Sequence, residues 1–132
     1  MESYKKVFWE MIMNNQDLFF SDSDKDLKEN LVVIPNALTK VGLMTGYTYD
    51  WKNHTIERSK YNTKNFNLAG ESDTGVIAQD VELMGLPGIT TTRDNGTKAV
   101  KYERLVPVLI EAIKELKAEN DALKARVTTL EG

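Results

Sequence analysis

The sequence predicts an α+β fold: a small mixed body of short helices and strands with a projecting arm, followed by a long C-terminal helix. Three stretches carry this prediction: a seven-residue repeat in residues 102–130, an aromatic alternation in residues 46–52, and the dipeptide Asn95-Gly96. Heptads with leucine at d are typical of coiled coils, alternating aromatics of a strand, and Asn-Gly of a tight hairpin turn. At 132 residues the chain is long enough for one such body with an appendage.

The C-terminal helix, predicted over residues 102–132, is expected to form a parallel coiled coil. Its a and d positions are occupied by Val106, Leu109, Ile113, Leu116, Asn120, Leu123, Val127 and Leu130. In this register Glu119 faces Lys124 of a parallel neighbour, and their opposite charges favour self-association. β-Branched residues and one asparagine at a favour two chains, so the heptads alone do not establish a trimer. The alternative is a helix packed in the core of a single chain, which the length and the strict repeat disfavour.

The start of this helix carries further apolar residues, Leu105, Ile110 and Ala112, which widen the apolar stripe beyond the a and d positions. A wider stripe is expected where a helix packs on a globular body as well as on a partner helix. We therefore predict that the first half of the helix packs against the body.

The body is predicted to consist of short elements separated by turns. Residues 46–52, GYTYDWK, predict a strand whose three aromatic side chains face the core. Residues 75–88 contain a short helix-like run that ends at Gly85. Residues 53–74 are polar and rich in asparagine and threonine, which predicts the projecting arm.

The composition argues against several classes of function. The 17 basic residues against 20 acidic ones give a net charge of −3, which disfavours a nucleic-acid partner. The absence of cysteine and the single histidine, His54, exclude a thiolate nucleophile and a zinc–thiolate site, so that no metal or other cofactor is implied. No apolar run approaches the roughly 20 residues of a membrane span, and the first ten residues lack the apolar core of a signal peptide. We therefore expect no membrane partner.

Residues 23–34 allow two interpretations of one serine. The apolar spacing predicts a short helix that begins at Ser23 and ends before Pro35. In that helix Ser23 is the N-cap and Lys28 is a solvated side chain. In the other interpretation Ser23 is a nucleophile and Lys28, five residues further on, is its base. Spacing alone favours the cap, because serine caps are common and Ser-Lys dyads are rare.

Five stretches in the same order give the serine a wider context. SDKDLKENLVVIPNAL, GYTYDWK, GVIAQDVELM, TKAVKYERLVPVLIEAIKEL and the final coiled coil together resemble the C-terminal intramolecular chaperone domain of phage tail spikes and tail fibres. This self-cleaving serine peptidase family is typified by endosialidase tail spikes. The resemblance implies that three copies trimerise, assist the folding of the fibre that precedes them, and then release themselves by autoproteolysis.

The resemblance also implies the residues that carry the reaction. Carried over to this sequence, the nucleophile is Ser23, the general base is Lys28, and the bond that is cut is Asp22-Ser23. Asp24 and Gln79 are candidates for a supporting role. Because lysine is a base only in its neutral form, we expect Lys28 to be desolvated when active. We expect N–H groups of the first turn that follows Ser23 to hold the oxyanion.

The same resemblance divides the chain into three parts. Residues 1–22 are the end of the upstream fibre, residues 23–101 are the chaperone body with its arm at about 53–74, and residues 102–132 are the coiled-coil helix. The expected partners are further copies in a homotrimer and the fibre or spike polypeptide of the same precursor. The expected location is the virion, or the host cytoplasm during phage assembly. The alternative function is a non-cleaving coiled-coil trimerisation cap, or the receptor-binding tip of a fibre.

Overall fold

The computed structural model describes residues 5–7, 20–52, 55–59, 62–67 and 69–132. It divides the chain into two units, residues 1–32 and residues 33–132. In the first unit residues 5–7 are helical and Lys25–Leu27 form a 3₁₀ turn. The second unit contains, in chain order, α1 (Ala37–Val41), β1 (Tyr47–Asp50), β2 (Thr55–Ser59), β3 (Asn62–Asn67), β4 (Ser72–Gly75), α2 (Ala78–Glu82), β5 (Thr90–Thr92), β6 (Lys98–Val100), a second 3₁₀ turn (Tyr102–Arg104) and α3 (Leu105–Glu131).

These elements confirm the predicted α+β class. Short helices, small antiparallel sheets and a long C-terminal helix are all present. The helix α3 has 27 residues and begins at Leu105, since the three residues before it form the second 3₁₀ turn. At 1.5 Å per residue α3 is about 40 Å long.

The described strands form three antiparallel pairs, β1 with β4, β2 with β3 and β5 with β6. In the sequence the β2–β3 hairpin lies between the paired strands β1 and β4. Residues 53–74, where the arm is predicted, therefore contain β2, β3 and the start of β4. His54 lies outside the described residues, as do most of residues 1–22, the predicted end of the fibre.

The predicted hairpin at Asn95-Gly96 is present, with a different turn from the one expected. Within this turn only Gly96 has a left-handed φ, of +84°. The turn is therefore not the two-residue type that needs two such angles. The N–H of Gly96 donates to the carbonyl of Arg93, and the N–H of Arg93 donates to the carbonyl of Thr97, both at 2.8 Å. This pattern is a three-residue loop in which the glycine supplies the left-handed position.

The core of the second unit lies between α2, the β5–β6 hairpin and the start of α3. Its buried residues are Val81, Met84, Ile89, Leu105 and Val108, with Ile34, Val41, Met44, Val76, Leu86 and Val100 packed around them. The buried set is small, so each member removes a large share of the apolar surface that stabilises the unit.

The helix α3 packs on the body with a row of residues beside its heptad row. Leu105, Val108 and Ala112 are 7%, 0% and 5% exposed and occupy g and c positions. The prediction that the first half of α3 packs on the body is confirmed for Leu105 and Ala112. It is wrong for Ile110, which is 50% exposed because its e position points away from the buried row.

The aromatic face of β1 is not buried as predicted. Tyr47 is 44% exposed, and Tyr49 and Trp51 are only partly buried. The rings of Tyr49 and Trp51 meet edge to face, with their centroids 5.1 Å apart. The prediction fails because α2 packs on β5 and β6, whereas β1 makes its contacts with β4.

A tyrosine ties the beginning of α3 to the end of β4. The hydroxyl of Tyr102 accepts a hydrogen bond of 3.1 Å from the N–H of Val76. The ring lies over Gly75, and a side chain at Gly75 would overlap the Tyr102 hydroxyl. The glycine is therefore needed for the close approach of the ring to the strand.

We predict that Gly75→Ala displaces Tyr102 and lowers the free energy of unfolding by about 1–2 kcal/mol, because the hydrogen bond to Val76 is lost. Chemical denaturation measures this loss. Gly46→Ala is the matched control, since no atom lies within 4 Å of its added methyl group. Because Tyr102→Phe removes the same hydrogen bond, the losses of the two substitutions should not add in the double variant. Fully additive losses would contradict this explanation.

Candidate active site

The structure brings Ser23 and Lys28 into direct contact. The Nζ of Lys28 donates a hydrogen bond of 2.7 Å to the Oγ of Ser23. Five residues of extended chain would span about 17 Å, so the contact depends on the 3₁₀ turn between the two residues. Both side chains are exposed, and the Asp22-Ser23 peptide lies in an exposed, irregular stretch.

The turn is capped by Asp24, so the predicted N-cap at Ser23 is wrong. The Oδ1 of Asp24 accepts a hydrogen bond of 2.9 Å from the N–H of Asp26, and the carbonyl of Asp24 accepts one of 3.1 Å from Leu27. Aspartate and serine cap helices about equally well, and here the turn begins one residue later than the sequence predicts. The hydroxyl of Ser23 is therefore not used as the cap and accepts the hydrogen bond from Lys28.

The predicted helix over residues 23–34 is also wrong, since only three of these residues are helical. Lys28 has an extended backbone, and Asn30 has a left-handed φ of +54° that asparagine tolerates. Leu31 and Val32 are largely exposed. The apolar spacing matches a helix, but no packing stabilises one in the single chain.

The hydrogen bonds of the turn determine which groups remain for an oxyanion. The N–H groups of Asp26, Leu27 and Lys28 already donate to acceptors within the turn. The N–H groups of Asp24 and Lys25 donate to no acceptor among the described residues. Of the N–H groups expected to hold the oxyanion, these two are therefore the ones that remain free to do so.

No described carboxylate competes with Ser23 for Lys28. Asp26, two residues before the lysine, forms no ion pair with it, and the ion pairs that the described residues form involve other lysines. The lysine amine is thus directed to the serine hydroxyl by local chain geometry.

Gln79 lies in the second unit, on α2. It lines an open groove of about 850 Å³ together with Tyr49, Trp51 and Tyr102. Two of the three aromatic residues of residues 46–52, Tyr49 and Trp51, thus border the groove. A supporting role of Gln79 in the reaction remains a prediction.

All eight residues predicted for the coiled-coil seam are exposed in the single chain. Ile113 and Leu116, near the middle of α3, are 66% and 55% exposed. The other six, Val106, Leu109, Asn120, Leu123, Val127 and Leu130, extend the row along the helix. A long apolar row of this kind is typical of a surface that binds a partner.

Sequence reasoning missed one polar contact of α3. The carboxylate of Glu115 accepts hydrogen bonds of 2.9 Å and 2.7 Å from the N–H groups of Ala37 and Leu38, which open α1. These two bonds, with a smaller contribution from the charge of Lys40, lower the pKa of Glu115 below its ordinary value. A sequence signal exists in retrospect: Glu115 occupies the same c position as the buried Val108, one heptad later.

The family of the chain follows from comparison with known proteins. Residues 23–87, about half of the chain, match the family model Peptidase_S74, described as chaperone of endosialidase. The chain therefore contains a domain of the endosialidase chaperone family. The match begins at Ser23 and includes Lys28 and Gln79, whereas α3 lies beyond its end. No curated protein matches the chain. None of the helices in the described ranges is long and apolar enough to cross a membrane.

We predict that a charge in the exposed row prevents self-association, because an aspartate in the seam of a coiled coil would be buried without a partner. Ile113→Asp should sediment as single chains at concentrations where the unsubstituted protein sediments as an oligomer. Ala118→Asp places the same charge at an exposed f position of α3 and serves as the control. Equal oligomerisation of the two variants would contradict the assignment of the seam.

Proposed function

We propose that this chain is an intramolecular chaperone that assembles through α3 into a parallel trimer and assists the folding of the fibre or spike polypeptide that precedes it. The chaperone then releases itself by cutting the Asp22-Ser23 bond. The observation that carries the proposal is the hydrogen bond between Lys28 and Ser23, at the residue where the family match begins. The family is a peptidase family, which supports a reaction at this serine.

The proposed reaction is an acyl transfer followed by hydrolysis. Neutral Lys28 takes the hydroxyl proton of Ser23 while the Oγ attacks the carbonyl carbon of Asp22. The Asp22–Ser23 C–N bond breaks, the lysine returns its proton to the departing amine of Ser23, and the acyl group remains as an ester on Oγ. Water then hydrolyses the ester, which leaves the carboxylate of Asp22 on the fibre and a free amine on Ser23. The serine is thus the first residue of the released chaperone.

The solvent exposure of Ser23 and Lys28 in the single chain suggests when the reaction occurs relative to assembly. A protonated lysine donates hydrogen bonds but cannot accept a proton, and loss of surrounding water favours the neutral amine. Ser23 and Lys28 are both exposed in the single chain. We expect the assembly of copies to exclude water from the pair, so that cutting follows correct trimerisation.

The second candidate function keeps the trimer and omits the chemistry. In this case the chain is a permanent coiled-coil trimerisation cap of a fibre. The solvent exposure of both Ser23 and Lys28 favours it, because water stabilises the charged form of an amine, and a charged amine cannot act as a base.

The two candidates differ in the mass of the chain under denaturing conditions. We predict that the unsubstituted protein yields fragments 1–22 and 23–132, and that Ser23→Ala and Lys28→Ala yield only the full-length chain. Lys25→Ala is the matched control, since this lysine lies on the same turn and its side chain makes no contact with Ser23. Full-length mass in the unsubstituted protein would support the permanent cap. Cleavage of Lys28→Ala at the unsubstituted rate would exclude the lysine as the base.

We predict that the cap of the turn affects the same reaction. Asp24→Ala removes the acceptor that fixes the turn between Ser23 and Lys28, and a cap contributes about 1 kcal/mol. The cleavage rate should fall about fivefold, whereas Asp24→Asn should remain close to the unsubstituted rate because asparagine is an equally good cap. Asp26→Ala controls for the loss of a charge in the same turn. If Asp24→Asn slows cleavage as much as Asp24→Ala does, the charge of Asp24 matters and its capping bond does not.

A further inference from the structure

Ile110 is a large apolar residue of α3 that belongs neither to the core nor to the a and d row. It occupies an e position and is 50% exposed in the single chain. The later e positions of the helix hold charged residues, Lys117, Lys124 and Glu131. A partner that covers Ile110 would remove its apolar surface from water, which favours association.

The two flanks of the a and d row differ in what lies beside them. Successive residues are about 100° apart around an α-helix, so the g positions flank the row on one side and the e positions on the other. Leu105 and Ala112 occupy g positions and are buried, and Leu105 packs with Val108 in the core. The body of each chain therefore lies beside the g flank of its own helix, and the e flank points away from that body.

A parallel coiled coil turns the e flank of each helix towards the g flank of the next helix. Because the body is attached on the g side, the e flank of one copy faces the body of the neighbouring copy. The register that places Glu119 opposite Lys124 also places Leu105 opposite Ile110. Leu105 is 7% exposed and packs with Val81 in the core of the body. Ile110 is thus directed to the place where the neighbouring helix enters its body.

The chemistry of the two flanks matches along the helix in this register. Beyond the body the facing residues carry opposite charges, at Glu119 with Lys124 and at Arg126 with Glu131. Beside the body the facing pair is apolar on both sides. The change from apolar to charged pairs follows the end of the body contact, which is expected if a folded body covers the first part of the e flank.

We propose that the e flank of α3, centred on Ile110, is a docking site for the body of the neighbouring copy. This inference rests on the proposed function, because it requires the parallel assembly of copies. The occupant is a second copy of this chain, since the chain's own body is attached on the opposite flank and the facing pairs match in the parallel register. Only a copy with a folded body offers this surface, so the contact makes assembly depend on the folding of the bodies.

The test uses a single introduced thiol, because the sequence contains no cysteine. Ile110→Cys places the thiol at the docking site. Lys124→Cys, the matched control, places it at an e position that lies beyond the body. Alkylation is followed by intact mass, in oligomers verified by sedimentation and in single chains that also carry Ile113→Asp. The protection of each thiol is the ratio of its rate in single chains to its rate in the oligomer.

We expect a protection of about tenfold or more for the thiol of Ile110→Cys, because a covered thiol reacts only when the interface opens. The protection for Lys124→Cys should be much smaller. Ile110→Gln should also raise the chain concentration needed for assembly about tenfold, since an apolar contact is lost. Ala118→Gln, at an exposed f position of the same helix, should assemble like the unsubstituted protein.

Two results would overturn the docking site. Equal protection of the two thiols would show that no body covers Ile110, and equal assembly of Ile110→Gln and Ala118→Gln would show that Ile110 adds nothing to the interface. If the unsubstituted protein sediments as single chains at every concentration, the parallel assembly fails and the docking site fails with it, which that sample alone reveals. An oligomer that protects Ile110→Cys but is never cut would support the docking site and remove only the proposed cleavage.

Discussion

The helix α3 has two rows of apolar residues and can bury only one of them within its own chain. The rows at c and g and at a and d lie about 100° apart around an α-helix. The first row completes the core of the second unit through Leu105, Val108 and Ala112. The second row remains exposed along a helix of about 40 Å. The packing of the body thus fixes α3 in an orientation that leaves its heptad face open, which is the arrangement an assembly domain requires.

The Ser23–Lys28 contact is stabilised by far fewer interactions than the helix α3. One exposed 3₁₀ turn orders few residues and buries no apolar side chain, so its free energy of formation is marginal. Its conformation depends on the Asp24 cap and on the serine–lysine bond itself. A site built this way is easily formed and easily lost. These properties are compatible with the proposed reaction, which would run once and only after copies of the chain have assembled.

The sequence predicted the elements that are specified by residues close together in the chain, either by a long repeat or by one residue with a special backbone requirement. The heptads specify α3, and Gly96 specifies the β5–β6 turn because a left-handed φ is needed there. The prediction of a helix over residues 23–34 failed because the apolar spacing is helical, but Leu31, Val32 and Val33 are exposed in the single chain and only Ile34, at the end of the segment, packs on the core. The contact of Glu115 with the start of α1 could not be predicted, because Glu115 lies 78 positions after Ala37 and 77 positions after Leu38, and only the fold brings them together. The sequence pattern around Ser23 predicted a helix cap at this serine, whereas Asp24 caps the turn in the structure. The sequence alone could not distinguish these two neighbouring positions, because serine and aspartate cap helices about equally well.

The measurement that tests the account most directly is the cleavage rate per chain as a function of chain concentration. The chain would be made by cell-free translation over a range of template concentrations and followed by denaturing mass spectrometry, with sedimentation of the same samples. The account predicts that the rate per chain rises with concentration and levels off where the chains are trimeric. A rate per chain that is the same for dispersed and assembled chains would contradict it, since the serine and lysine would then react without the assembly that is proposed to activate them.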